Sequence, residues 1–189
     1  FYFAEAMNTG TSCLQEYDYL VKKVVFNVQI LPVIKLISCL IVHGIFVLIM
    51  IGMYFCFGRL PKVTWIQLIY YTFALSLFVL GWTLITASIN VFFKDMAQIV
   101  SIALQFGMWL VPIMWDPTMF QNRPAWLDSV LKINPIYYIV MGYRDSMLQG
   151  NWFFERPMLT IYFWIWTIVM LMIGLKVFHK LRPHLSDVL

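Results

Sequence analysis

The sequence predicts an all-α integral membrane protein, a polytopic helical bundle, and three observations support this class. Hydrophobic residues make up 62% of the 189 residues. Charged residues make up only 12%, whereas soluble domains carry about 25%. Several uncharged runs approach or exceed the roughly 20 residues that cross a bilayer as a helix. Together these features exclude an ordinary water-soluble fold.

Four stretches are predicted to be complete membrane-spanning helices. They are residues 30–57, 63–93, 96–115 and 157–177. Residues 1–15 are apolar apart from one carboxylate and are predicted to be the end of a further span. The chain starts at Phe1, without an initiator Met, a basic segment or a signal cleavage site. We therefore expect it to be an internal part of a longer protein.

The basic residues orient the predicted bundle, because cytoplasmic loops of membrane proteins carry an excess of Lys and Arg. The denser set is placed in the cytoplasm: Lys22, Lys23, Lys35, Lys94, Lys176, Lys180 and Arg182. The other set is placed outside: Arg59, Lys62, Arg123, Lys132, Arg144 and Arg156. This orientation makes residues 116–152 a long outer segment and residues 178–189 a cytoplasmic tail.

The outer segment is predicted to contain two short helices, the first beginning near Asn122. For the second helix, Asn134 is a suitable N-cap, Pro135 suits the first helical position, and Gly150 suits the residue after the end. One apolar stripe runs along it: Ile136, Ile139, Val140, Tyr143 and Met147. Three other side chains lie largely off that stripe: Tyr138, Arg144 and Asp145. Since the uncharged stretch is too short to cross a bilayer, we expect it to pack against the outer side of the bundle.

Motifs for chemistry are absent from the sequence. It has no P-loop, no HExxH and no GxSxG. The three cysteines, Cys13, Cys39 and Cys56, lack metal-binding spacing and are predicted to be free, buried thiols. No basic run is interleaved with aromatic residues, so nucleic-acid binding is not expected.

Two polar side chains within the first complete span have simple interpretations. His43 is predicted to be a packed, hydrogen-bonding residue rather than a proton relay. Lys35 lies near the inner end of the span and is predicted to extend its amine toward the membrane surface, with a lipid headgroup or phosphate contact as the alternative. Before this span, residues 16–28 place acidic residues ahead of basic ones, an order that suits a helix dipole. This linker is either a solvated loop or a docking helix for a cytoplasmic partner.

Several stretches resemble the membrane subunit of ABC-type polysaccharide exporters, the permeases of type-2 ABC exporters. The resemblance lies in residues 1–36, 90–115, 134–148 and 178–189, in the family's order. The run YRDS and the WFF that follows it are most similar to the teichoic acid translocation permeases. The fold implied is a single transmembrane permease domain of the type-2 ABC exporter kind over residues 1–189, located in the bacterial plasma (inner) membrane.

The resemblance also implies partners. Members form homodimers, and each copy binds a cytoplasmic ABC ATPase subunit, so the complex contains two ATPases. ATP and magnesium would bind to those subunits, and no cofactor is expected in this chain. Residues 16–28 would form the coupling helix that docks into the ATPase, with contacts from Glu16, Tyr17, Leu20, Lys22 and Lys23. The family usually has Pro where this chain has Asn27, which implies a looser turn after the helix.

Residues 116–152 would be extracellular gate helices that close the outer mouth of a polymer channel. The implied gate residues are Trp115, Asn134, Pro135, Tyr137, Tyr138, Tyr143 and Arg144. Arg144 is expected either to meet phosphate or to pair with Asp145 or another carboxylate. Aromatic residues that would line the channel are Tyr70, Tyr71, Trp82 and Trp109; the alternative for each is helix packing or an interfacial belt.

The implied cargo is a lipid-linked anionic glycopolymer, teichoic acid, with membrane lipids around the subunit. O-antigen or capsular polysaccharide is the alternative cargo. A membrane-bound transferase acting on lipid-linked sugars is the alternative of a different class. It would need an acid/base pair at the membrane face, and the outer carboxylates of this chain have nothing that holds two of them together.

Overall fold

A computed structural model describes residues 1–21, 27–58, 61–113 and 130–188, and this part of the chain is helical, without strands. The helices are α1 (Tyr2–Glu16), α2 (Asp18–Val21), α3 (Ile30–Cys56), α4 (Gln67–Phe92), α5 (Met96–Leu110), α6 (Pro135–Arg144) and α7 (Pro157–Val188). Short 3₁₀ turns cover Val63–Ile66 and Phe153–Glu155, and a π turn covers Asp145–Gln149. The predicted all-α fold class is confirmed.

Three helices are long and apolar enough to cross a membrane: Ile30–Cys56, Val63–Phe92 and Pro157–Leu185. They correspond to three of the four complete spans that the sequence predicts. The central one contains α4, half of whose most apolar window is buried. Because α4 packs against both α1 and α7, it forms the middle of the described bundle.

The fourth predicted span, residues 96–115, is too long. The helix α5 ends at Leu110, and Val111 adopts an extended backbone. The next residue, Pro112, explains this end, because proline disfavours the helical conformation of the residue before it. At 1.5 Å per residue, α5 is roughly 22 Å long and shorter than the hydrocarbon core of a bilayer.

The predicted cytoplasmic tail, residues 178–189, is helical as far as Val188. The final helix α7 continues through it to Val188, with Pro183 inside the helix. Phe178 and Leu185 on this part are 0% and 1% exposed. They pack in an apolar cluster with residues of α1, α3 and α4, including Leu14 and Leu84. This packing makes the tail part of the bundle.

The helices α4 and α7 cross with their backbones in close contact at two glycines. A Cβ atom on Gly81 would lie 2.8 Å from the backbone nitrogen of Leu171. A Cβ atom on Gly174 would lie 2.5 Å from the carbonyl oxygen of Gly81. Small residues at helix crossings allow this approach in membrane proteins, where van der Waals packing drives association.

Buried polar side chains tie α1 to α4 and to the start of α5. The hydroxyls of Thr11 and Thr86 are 2.8 Å apart. Asn90, which is 0% exposed, donates to the carbonyl of Thr11 and accepts from the backbone N–H of Ala97. Gln15 donates to the carbonyl of Asn90 at 2.7 Å. The inner half of α1 is therefore fixed to the corner between α4 and α5.

The three cysteines are free, as predicted. Cys13 and Cys39 are buried between helices, also as predicted. Cys56 is exposed, because it is the last residue of α3 and lies at the end of the span. The prediction that all three thiols are buried is wrong for this one.

Candidate gate and coupling elements

The helix α6 begins and ends as its sequence predicts. The side chain of Asn134 accepts a hydrogen bond from the backbone N–H of Ile136 at 3.0 Å, and Pro135 is the first helical residue. After the π turn, Gly150 has φ of 87°, a left-handed conformation that favours glycine. Its N–H bonds to the carbonyl of Asp145 at 2.6 Å, which ends the element.

The buried face of α6 differs from the predicted apolar stripe. Tyr138 is 4% exposed and Asp145 is 6% exposed, although both were expected to lie off the buried stripe. Ile136 and Val140, which belong to the stripe, are only half-buried. The free-energy cost of burying Tyr138 and Asp145 is offset because both polar groups have hydrogen-bond partners inside the protein.

Tyr138 joins α6 to α4 and α7 through hydroxyl groups. Its hydroxyl lies 3.1 Å from that of Tyr70 and accepts from Thr160 at 3.2 Å. The indole N–H of Trp164 donates to the Tyr70 oxygen at 2.8 Å. Burial raises the pKa of Tyr138, so its hydroxyl stays protonated and able to donate.

Tyr71 and Gly142 form a close contact between α4 and α6. Tyr71 is 3% exposed, and its ring meets that of Tyr138 edge-on with 5.4 Å between centroids. A Cβ atom on Gly142 would collide with the Tyr71 ring, so this approach requires glycine. A glycine among the bulky residues of a short apolar helix is the sequence feature that marks such a contact.

Tyr143 joins α6 to α3 and α4. Its hydroxyl lies 2.6 Å from the hydroxyl of Thr72 and 2.9 Å from Nε2 of His43. The His43 ring also packs against Tyr2, with 5.0 Å between centroids. The prediction of a packed, hydrogen-bonding histidine is confirmed. Thr72 has no sequence pattern that marks it, and the sequence did not predict its part in this site.

Asp145 pairs with Arg156 rather than with the adjacent Arg144. The Arg156 Nη2 atom lies 3.1 Å from a carboxylate oxygen of Asp145. Burial raises the pKa of the Asp145 carboxyl, and the positive charge of Arg156 partly offsets this. Arg144 donates to the backbone carbonyl of Ile113 at 3.1 Å, which links the end of α6 to the end of α5.

We call residues 16–21, the described start of the predicted coupling helix, the coupling segment; it begins at the last residue of α1. Glu16 is the last residue of α1, Tyr17 caps it, and Leu20 lies in the four-residue α2. The ammonium of Lys35 lies 2.6 Å from the carboxylate of Glu16 and 4.9 Å from the centroid of the Tyr17 ring. Lys35 therefore holds the coupling segment against α3, and neither of its two predicted roles describes this.

Some predicted site residues lie outside the described residues. They are Lys22 and Lys23 of the coupling helix, Trp115, and the first outer helix near Asn122. Of the predicted coupling helix over residues 16–28, the structure describes residues 16–21 and 27–28. Tyr137 lies half-buried on α6.

The four aromatic residues predicted to line a channel lie in different environments. Tyr70 and Tyr71 pack beneath α6. Trp82 lines a groove of about 220 Å³, together with Phe3, Phe78, Asn134, Pro135, Ile136 and Trp166. Trp109 is 73% exposed on α5. The channel-lining role of these four stays a prediction.

These features define a multi-pass helical membrane protein in which an outer helix is fastened to three other helices. Within the described residues, no cluster of His, Cys, Asp and Glu is arranged to hold a metal ion. Residues 1–148 match the family of ABC-2 type transporters, and the chain belongs to that family. The resemblance to type-2 ABC exporter permeases is thereby confirmed.

Three curated relatives are similar to nearly the whole chain. Two are O-antigen export system permease proteins RfbA from Klebsiella pneumoniae, 23% and 22% identical over 175 residues that cover 90% of this chain. Another O-antigen export system permease protein RfbA, from Myxococcus xanthus, is 25% identical over 195 residues that cover 98% of the chain and 70% of the relative. The chain spans 64% of the length of each Klebsiella relative.

Proposed function

We propose that the chain forms most of the membrane subunit of an ATP-driven polysaccharide exporter. The observation that carries this proposal is the similarity to O-antigen export permeases over 90–98% of the chain. Membership of the ABC-2 family supports a transport role. In this proposal a separate ATPase subunit hydrolyses ATP, as the resemblance to type-2 ABC exporter permeases implies.

The proposed cargo is a lipid-linked polysaccharide of the O-antigen class. The named relatives favour it over the teichoic acid predicted from the sequence, because all three are O-antigen permeases. Teichoic acid stays the second candidate, supported by the YRDS and WFF runs. In this proposal both polymers are exported on a lipid carrier. The same ATPase assay can therefore be run with either lipid-linked precursor, and the precursor that stimulates hydrolysis identifies the cargo.

In the proposed mechanism, two copies of the permease form the pathway and each binds one ATPase. Closure of the ATPases pushes on the coupling segment of each copy. This push reaches α1, which continues directly into the segment, and α3, which holds it through the Lys35–Glu16 ion pair. Movement of these helices then releases α6 from the outer mouth. We therefore call α6 the gate helix.

The function is tested by reconstituting the full-length permease with its ATPase in proteoliposomes. We expect lipid-linked O-antigen precursor to stimulate ATP hydrolysis several-fold. Tyr17→Ala should abolish this stimulation, whereas Tyr54→Ala at the outer end of α3 should retain it. Stimulation by teichoic acid precursor alone would show that teichoic acid, and not O-antigen, is the cargo. Failure to form a complex with any ATPase would contradict the proposed exporter function.

Charge reversal tests the link between the coupling segment and α3. Lys35→Glu is expected to reduce precursor-stimulated ATP hydrolysis roughly tenfold, because two carboxylates would repel each other there. The double variant Glu16→Lys with Lys35→Glu is expected to restore it to within about twofold. Because the pair is partly exposed, Lys35→Met should cost at most about 1 kcal/mol of stability. Equal activity of single and double variants would contradict the assignment.

A further inference from the structure

A chain of hydrogen bonds at the outer half of the bundle runs through three helices, and its direction follows from counting protons. The Thr72 hydroxyl donates to the carbonyl of Leu68 at 2.7 Å. A hydroxyl has only one proton, so the Thr72 oxygen accepts from Tyr143 at 2.6 Å. Tyr143 has then used its own proton. Its oxygen therefore accepts from the Nε2–H of His43 at 2.9 Å.

Because the hydrogen bonds run from His43 to Tyr143 to Thr72, each of these residues must have a particular donor or acceptor group. His43 must carry a proton on Nε2, Tyr143 must have a hydroxyl, and Thr72 must have an acceptor oxygen. The three residues belong to α3, the gate helix and α4. A parallel bond holds α1, since the hydroxyl of Tyr2 lies 2.7 Å from that of Ser76, which donates to the carbonyl of Thr72.

We propose that His43 is a positioning residue that fixes the closed position of the gate helix through Tyr143. The proposal rests on the proposed transport function. Releasing the gate helix separates Tyr143 from both of its partners. Few competing water molecules are available at membrane depth, so the lost bonds favour the closed position.

The position of His43 on α3 gives this contact a role beyond packing. Lys35, eight residues earlier on the same helix, holds the coupling segment. A displacement of the inner end of α3 is therefore transmitted along a rigid helix to His43. The Tyr138 anchor connects the gate helix to α4 and α7 instead. The His43–Tyr143 bond thus joins the gate helix to the helix that holds the coupling segment.

The test measures the position of the gate helix directly. Spin labels are placed at Leu148, beyond the gate helix, and Met53, near the outer end of α3; both are about half exposed. The exposed Cys56 is replaced by Ser to prevent labelling. Distance distributions are recorded by electron paramagnetic resonance on the full-length permease with its ATPase in nanodiscs, without ATP.

Two substitutions of His43 differ only in where they place an amide N–H. His43→Gln keeps a donor near the position of Nε2, whereas His43→Asn does not reach it. We expect His43→Asn to increase the population of a second, open distance roughly fivefold, and Thr72→Val to do the same. His43→Gln should match the wild-type protein.

Equal distributions for His43→Asn and His43→Gln would overturn the proposal. A lower melting temperature of His43→Asn with an unchanged distribution would also overturn it, since the role would then be structural only. Because the distances are measured without cargo, they test the His43 proposal independently of the proposed exporter function. Failure of the exporter function would be detected in the ATPase assay. In that case no polysaccharide precursor would stimulate ATP hydrolysis by the wild-type complex.

Discussion

Gly174→Ala is expected to lower the free energy of unfolding of the permease by about 3 kcal/mol, near the upper end for overpacked sites. The new methyl group would meet the carbonyl oxygen of Gly81 at 2.5 Å. The atom it meets belongs to the backbone of α4, so a change of rotamer cannot relieve the contact. The α4–α7 crossing would have to widen, and the packing of both helices would weaken along their length.

Gly52→Ala is the matched control. It is the same substitution inside a membrane-spanning helix, but a Cβ atom on Gly52 has no neighbour within 4 Å. Since alanine is the better helix former, this variant should be as stable as the wild-type protein or more so. Thermal unfolding of both variants in the same detergent makes the comparison. Equal melting temperatures would show that the close crossing does not limit stability.

Local chemistry explains which parts of the fold were predictable from the sequence. The start of the gate helix depends on Asn134 and Pro135, and the end of its π turn on Gly150. These residues act on their own neighbours, so their effect can be inferred without the rest of the chain. The end of α5 was equally predictable from Pro112. The absence of charge alone overestimates the length of this span, because the uncharged run continues past the proline.

Tertiary contacts explain what the sequence left unpredicted. Apolar periodicity excludes Tyr138 and Asp145 from the buried face, but their partners lie far away in sequence, at Tyr70 and Arg156. A periodicity pattern contains no information about such partners. The packing of the helical tail is similar, because Phe178 contacts a cluster with residues of α1 and α4 that lie far away in sequence.

For the candidate gate residues too, the helix that contains them is predictable from the sequence, but their contact partners are not. Tyr138, Tyr143 and Arg144 were recognised as members of the outer helix. What holds them, namely Thr72, Thr160 and the carbonyl of Ile113, has no sequence pattern. Tyr70 and Tyr71, which are predicted to line a channel, contact Tyr138 of the gate helix. Their channel-lining role stays a prediction.

Arg156→Gln is expected to destabilise the permease by about 2 kcal/mol at pH 7 and to lose this deficit as the pH falls. The substitution leaves the carboxylate of Asp145, only 8% exposed, without its cation. Breaking a fully buried pair costs about 3–5 kcal/mol, and we take a lower value because Arg156 is 36% exposed.

The pH dependence of this variant follows from the raised pKa of Asp145. Burial raises that pKa, and removal of Arg156 takes away the charge that lowers it, so the folded protein binds the proton more tightly than the unfolded chain. Stability therefore rises as the pH falls through the folded pKa, and the gain is complete below the unfolded value of about 4. Melting temperatures at pH 7 and pH 5 measure it, and Lys94→Gln, which removes an exposed cation, is the control.

The double variant Asp145→Asn with Arg156→Gln separates loss of the cation from loss of packing. With no carboxylate to leave unpaired, it should recover most of the stability at pH 7. It should also lack the pH-dependent gain of Arg156→Gln. If the single and double variants melted together at pH 7, the buried carboxylate would not be the source of the deficit. Recovery in the double variant would instead identify Arg156 as the residue that allows an ionised Asp145 at the end of the gate helix.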